Sequence, residues 1–179
     1  METVYFDREF NRHGELSNFY WHDQPLIYED KPYPTAEHLY QAHKYMYSDA
    51  ARAYAEEIRQ ASTPHKAKLL GERSRARRYA WQRRQQPIIE AHRVKPVRHW
   101  EANKRSVMAA VLRCKFTQDA HCRKALRGTG CAPLVAHLRD RYWGDGLGDE
   151  RGGDNHLGHL LETLRAQLPS EKSLLRLPE

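Results

Sequence analysis

The sequence predicts an α+β fold, predominantly helical, with a few short N-terminal strands in one compact domain. Three observations carry this expectation. Apolar residues recur at helical spacing in most segments after Pro34, whereas β-branched and aromatic runs bounded by turn residues are confined to the chain before it. The chain has 179 residues, 40% apolar and 30% charged, which is the size and balance of a single globular domain. No internal repeat or low-complexity linker divides it. The domain is therefore placed at residues 1–168, with a frayed C-terminal tail at 169–179 beginning at Pro169.

Strand signals come first: Val4-Tyr5-Phe6, then Pro25-Leu26-Ile27-Tyr28, with Glu29-Asp30-Lys31 as a turn before Tyr33. Thr35 is suited to cap a helix over Ala36–Tyr47 whose apolar stripe is Leu39, Ala42 and Met46. A second helix follows Ser48, with Ala51, Tyr54, Ala55 and Ile58 on one face. Thr63-Pro64 opens a third, Thr at the N-cap and Pro at the first helical position. A long helix is predicted from about His99 to Phe116, turning Val107, Met108, Val111 and Leu112 inward. Between Gly144 and Gly158 lie six glycines, a loop whose backbone can approach something closely. The last helix carries Leu157, Leu160, Leu161, Leu164 and Leu168, the spacing of a core-facing stripe.

Several function classes are excluded. No apolar run approaches the ~18 residues of a membrane helix, and METVYFDREF lacks the apolar stretch of a secretory signal. Cys114, Cys122 and Cys131 form neither a disulfide framework nor a CxxC metal site, so reduced thiols and a cytoplasmic location are expected. His156-x-x-His159 has helical spacing, but Asp154 is its only nearby third ligand, and no metal is expected. Walker, Rossmann and GxSxG motifs are absent. Lys+Arg exceed Asp+Glu by 30 to 23, a net +7, which admits phosphate-bearing or nucleic-acid partners without specifying either.

Three constellations bear chemistry. On the predicted first helix Glu37, Gln41 and Lys44 fall within about 60° of one another, opposite the apolar stripe. Glu37 and Lys44 are roughly 10 Å apart along the axis, too far for one tight ion pair but near enough to line one pocket. From spacing alone, a solvated helix face is the competing reading. The second constellation, Asp140-Arg141-Tyr142-Trp143-Gly144, sets a carboxylate close to a large aromatic at the entrance to the glycine-rich loop, which suits stacking of a flat ring beside a sugar. Trp143 as a core anchor and Asp140 as a turn residue explain it equally well. The third is the cluster Arg73, Arg75, Arg77, Arg78, Arg83 and Arg84 around Tyr79 and Trp81, which reads either as a nucleic-acid-binding segment or as a solvated basic face.

Taken in order, several short segments together resemble one family. They are Gly14-Glu15-Leu16-Ser17-Asn18-Phe19, Tyr33-Pro34-Thr35-Ala36-Glu37-His38 with Gln41-Ala42-x-Lys44, Ala67-Lys68-x-x-Gly71, Trp100 before Val107-Met108, Lys115-Phe116, Thr129-Gly130, Leu134-Val135, Asp140-x-x-Trp143-Gly144 and Gly153-x-Asn155-x-Leu157-Gly158. Nine motifs in this order, over about residues 5 to 168, resemble the NADAR (YbiA-like) family. The resemblance implies a compact, mostly helical α+β domain with N-glycosidase activity and no cofactor. It places functional roles on Glu37, Trp100, Asp140 and Trp143, with Asn18, Lys44 and Asn155 as pocket members; Gln41 and Gly144 complete the expected site. The chain carries Ala136 where the family pattern has an acidic residue, and its interval from Gly71 to Trp100 is longer than usual.

The family's substrates imply cleavage between ribose C1 and an amine nitrogen outside the heterocycle. Positive charge then builds on C1 and O4, which a carboxylate stabilises while a second group protonates the departing amine. Glu37 and Asp140 are assigned to these tasks. A second route is open, since an amino-linked sugar ring-opens to an imine that Lys44 can attack, provided its pKa is lowered. Amides of the Gly144–Gly158 loop are expected to cradle substrate phosphates. The net charge and arginine cluster tilt the substrate expectation toward ADP-ribose on guanine in nucleic acid; a phosphorylated amino-pyrimidine riboside of riboflavin biosynthesis is the alternative. A non-catalytic module that binds ADP-ribose or nucleic acid is the rival class. Oligomeric state is not legible in the sequence.

Overall fold

A computed structural model of the chain describes residues 2–72 and 94–168. Arg73, Arg75, Arg77, Arg78, Arg83 and Arg84, and the tail after Leu168, lie outside the described residues.

Two small sheets and six α-helices make up the described fold. Strand β1 (Val4–Phe6) pairs in parallel with β4 (Leu134–Ala136), Val4 opposite Leu134 and Phe6 opposite Ala136. Strands β2 (Leu26–Tyr28) and β3 (Lys31–Tyr33) form an antiparallel hairpin with Tyr28 opposite Lys31. Its two-residue loop, Glu29 and Asp30, has φ of 46° and 59°. Positive φ at both loop positions is the turn geometry whose twist matches that of the flanking strands. The predicted N-terminal strands and turn are thus present; β4, near the other end of the chain, is an addition.

The helices are α1 (Ala36–His43), α2 (Asp49–Arg59), α3 (Pro64–Gly71), α4 (Trp100–Gln118), α5 (Ala120–Gly128) and α6 (His156–Gln167). Side chains of Thr35, Ser48 and Thr63 accept from His38, Ala51 and Lys66 amides, so both predicted caps are in place and Ser48 supplies a third. Asp119 caps α5 by accepting from Cys122. Helix α1 stops at His43 rather than continuing to Tyr47. Ser48 must be extended (φ −155°) to cap α2, so the chain turns through 44–47.

Helix α1 lies at the centre, packed against α2, α3 and α4, while α6 covers β4. Every residue from Ala36 to Gln41 is buried, the polar ones included. Leu39, Ile58, Leu112, Phe116 and Leu161 are at most 1% exposed, and each such side chain contributes about 1.5–3 kcal/mol of apolar transfer. Of the predicted inward residues, Met108, Val111 and Leu112 are buried, while Val107 packs against the core from a partly exposed position. Cys114, Cys122 and Cys131 are free thiols. Among the described residues no helix is long and apolar enough to cross a membrane.

Candidate active site

Enclosure of α1 by three helices leaves its polar face no solvent to meet. Glu37 is 5%, Gln41 2% and Lys44 7% exposed. Polar groups taken from water need partners, and the partners here are specific. Glu37 accepts from Gln41 Nε2 at 2.7 Å, the i,i+4 contact the wheel predicts. Its amide donates to the Asn18 carbonyl at 2.9 Å, which ties the start of α1 to the preceding loop. That loop is held in turn by Lys115, a fully buried lysine on α4 whose Nζ donates to the Ser17 carbonyl at 2.6 Å. Asn18 itself donates to the Met108 sulfur at 3.3 Å, and its Oδ1 is buried without a partner.

Burial raises the Glu37 pKa above the carboxylate range, against the pull of nearby Lys68 and the Gln41 bond. Lys44 is shifted the opposite way. Burial, with a contribution from Lys68, brings it down to about 8 against the opposing charges of Glu37 and Glu72. Its ammonium donates to the Gly71 carbonyl at 3.3 Å and lies 5.6 Å from the Tyr40 ring and 5.4 Å from the Trp100 ring. One long bond and two ring faces solvate an ammonium poorly, which favours the neutral amine.

Asp140 reaches the same cluster from the other end of the chain. Its Oδ1 accepts from the Tyr142 and Trp143 amides, both at 3.0 Å, which fixes the carboxylate and turns the chain so that Trp143 meets Tyr40 at 5.8 Å. Tyr40 also packs on Trp100 at 5.3 Å. Its phenol is pushed far up by burial and by the negative charges of Glu37, Glu101 and Asp140. Gly144 follows because a Cβ there would stand 2.6 Å from the Ala136 carbonyl.

Asn155 is placed differently. Its side chain accepts from the Ala136 amide at 2.9 Å and donates to the Leu134 carbonyl at 2.8 Å, so both amide atoms are committed to β4. The glycine-rich loop spends much of its hydrogen-bonding capacity on itself. The amides of Gly144, Asp145, Leu147, Asp149, Gly152, Asp154 and Asn155 already donate to backbone carbonyls.

Sequence reasoning gave no site role to Tyr40, or to Lys68 and Gly71 beyond their place in a family motif. Tyr40 stands about 60° from Glu37 on the helical wheel, so the same arithmetic includes it once aromatics are counted with the polar face. The motif marked Gly71 without saying why, because its role depends on the approach of α1 to the end of α3. Among the described residues, the possible ligand group is not His156 and His159 but His22, Asp119 and Cys122. There His22 Nδ1 lies 2.6 Å from Asp119, tying the Tyr20–His22 turn to the start of α5.

A buried carboxylate with a raised pKa, a lysine whose pKa is brought down to about 8, and two indoles packed on one tyrosine are thus gathered along one side of α1. The family model described as the NADAR domain matches residues 4–169, and the chain belongs to that family. N-glycosidase YbiA of Escherichia coli (strain K12) is 39% identical over 163 residues, covering 89% of this chain and 84% of that protein. The chloroplastic riboflavin biosynthesis protein PYRR of Zea mays is 33% identical, covering 92% of this chain but 25% of its own length. The NMR structure of the E. coli protein YbiA superposes with a TM-score of 0.69 at 34% identity, covering all of this chain and 92% of that one.

Proposed function

We propose that this chain is an N-glycosidase, a hydrolase that cleaves the bond between ribose C1 and an exocyclic amine nitrogen of a phosphorylated riboside. The observation that carries the reading is the buried trio along α1 and its C-cap: Glu37 with a raised pKa, Gln41 bonded to that carboxylate, and the capping Lys44 brought down to about 8. A module that only binds its ligand has no use for a desolvated acid and a lysine of lowered pKa about two turns apart on one helix face.

These residues support a route through the ring-opened sugar. The neutral Lys44 amine adds to C1 of the imine, and Glu37 carries the proton from the lysine nitrogen to the departing amine. The C1–N bond to the base breaks, leaving C1 joined to Lys44 as an imine. Water then adds, the aldehyde sugar leaves, and Lys44 recovers its proton. Asp140, fixed by two amides, supplies negative charge toward the sugar, and Trp143 and Trp100 wall the flat partner. In the direct alternative, Glu37 activates water for attack on C1.

For the substrate, similarity to a riboflavin biosynthesis protein favours an amino-pyrimidine ribosyl phosphate. The net charge of +7 favours the second reading, ADP-ribose on guanine in nucleic acid. Purified protein assayed against both, with Glu37→Ala as control, decides between them: release of ADP-ribose that falls steeply with salt selects the second. Borohydride added during turnover, followed by intact mass, tests the imine. A sugar adduct on Lys44 is expected; its absence in an enzyme that turns over leaves the direct route.

A further inference from the structure

Helix α4 carries charge away from the site in one direction. Trp100 and Lys104 are four residues apart on it, hence on one face and about 6 Å apart along the axis. Trp100 touches Tyr40 and lies under the Lys44 ammonium, so Lys104 stands one turn beyond the reacting groups. Its Nζ lies 3.6 Å from the centroid of the Tyr142 ring. Tyr142 meets Trp143 edge-on at 4.8 Å and packs against the His156 ring at 4.3 Å. An unbroken run of rings thus leads from Tyr40 to a lysine and a histidine. His156 Nδ1 is buried without a partner, and both Lys104 and Arg105 act on the imidazole as neighbouring positive charges.

Two anionic groups face this cluster. Asp154 acts on His156, and the Glu101 carboxylate accepts from Lys104 at 2.7 Å. The Glu101 side chain is 82% exposed while that of Lys104 is 18% exposed. A pair with a solvated carboxylate is held weakly, whereas a phosphate offers a largely desolvated ammonium more charge and more acceptor oxygens.

We propose that Lys104 and His156, braced by Tyr142 and with Arg105 at the rim, form the subsite for a phosphate monoester on the substrate's ribose. The proposal rests on the N-glycosidase reading above and deepens it by naming what recognises the phosphate. It also explains why the glycine-rich loop can spend its amides internally: side chains on α4 and α6 take the anion instead.

The test compares kcat/KM for a phosphorylated amino-pyrimidine riboside with that for its dephosphorylated counterpart, in wild type and in Lys104→Met, which keeps an unbranched stem over Tyr142. The ratio of the two constants should fall about ten- to hundredfold in the variant, the worth of one charge-assisted hydrogen bond. An unchanged ratio overturns the subsite even if both activities drop. Titration with ribose 5-phosphate and with ribose, followed by the His156 ring resonances, gives a readout independent of turnover. The phosphate should move those resonances in wild type and not in Lys104→Met, and ribose should leave them in place; no response to ribose 5-phosphate removes the proposal. If wild type cleaves neither riboside yet His156 responds, the glycosidase reading fails and the subsite stands. If it cleaves both and the variant keeps the wild-type ratio, the subsite fails and the reading stands.

Discussion

Gln41 serves Glu37 with its nitrogen while its oxygen faces Gly71. The amide donates to the carboxylate at 2.7 Å, and a Cβ on Gly71 would fall 1.9 Å from Gln41 Oε1. A glycine at the end of α3 thus leaves the room in which a glutamine on α1 holds the acid. The same glycine's carbonyl accepts from Lys44, so the buried carboxylate and the buried amine share one support.

Gly71→Ala is therefore expected to act through Gln41. We expect kcat to fall about tenfold in Gly71→Ala and in Gln41→Ala, and the double variant to be no worse than either alone, because residues in one network do not add. Losing the Gln41 bond removes one influence that lowers the Glu37 pKa, so the acid limb of kcat/KM moves to higher pH. Rate–pH profiles of the three variants check this. Additive losses, or limbs that stay put, would show that Gly71 matters only for packing.

Glu37→Gln should trade activity for stability. Turnover should fall about a hundredfold or more, the contribution of a positioned acid–base group. The folded-state pKa of Glu37 is raised by burial. Its stabilising contribution is accordingly complete below the unfolded carboxylate value and is lost as pH rises through the raised folded value. The variant should then melt higher than wild type at pH 8, with the difference closing near pH 4. Paired thermal scans at the two pH values measure it.

Lys44, brought down to about 8, should impose a limb on kcat/KM that rises with pH through that region if its neutral amine is the nucleophile. Lys44→Arg keeps the charge and abolishes the amine, and we expect a loss of more than about a hundredfold. Lys68→Met removes a positive neighbour, so the Lys44 pKa should rise and the limb should shift to alkaline pH. A limb indifferent to Lys68 would sever that link.

Asn155→Ala should cost about 1–3 kcal/mol, because the Ala136 amide and the Leu134 carbonyl would lose their partner. In a domain of this size that lowers Tm by roughly 2–4 °C per kcal/mol, with KM for substrate unchanged. A higher KM at unaltered Tm would instead return Asn155 to the pocket.

Local signals survived into three dimensions. Thr35, Ser48 and Thr63 cap because an extended Ser or Thr before a helix satisfies an amide wherever it occurs. The Glu37, Gln41 and Lys44 face was legible from the 3.6-residue period, but its burial was not, since nothing in α1 says that α3 and α4 will close over it. Strand β4 escaped notice for a related reason. Three residues, Leu134–Ala136, carry little periodicity, and their partner β1 lies about 130 residues away in sequence. Trp143 meets Tyr40 by the same long-range packing, so the approach of the Asp140 turn to α1 was legible only through family resemblance.

The Asn155 side chain has one more effect. A two-stranded parallel sheet leaves its outer strand ready to recruit a strand from another molecule. Along β4 those sites are already taken: Asn155 holds the Ala136 amide and the Leu134 carbonyl, and Glu162 holds the Leu134 amide at 2.8 Å. Two side chains thus stand in for a third strand, and they guard this edge of the sheet against edge-to-edge growth without lengthening the fold.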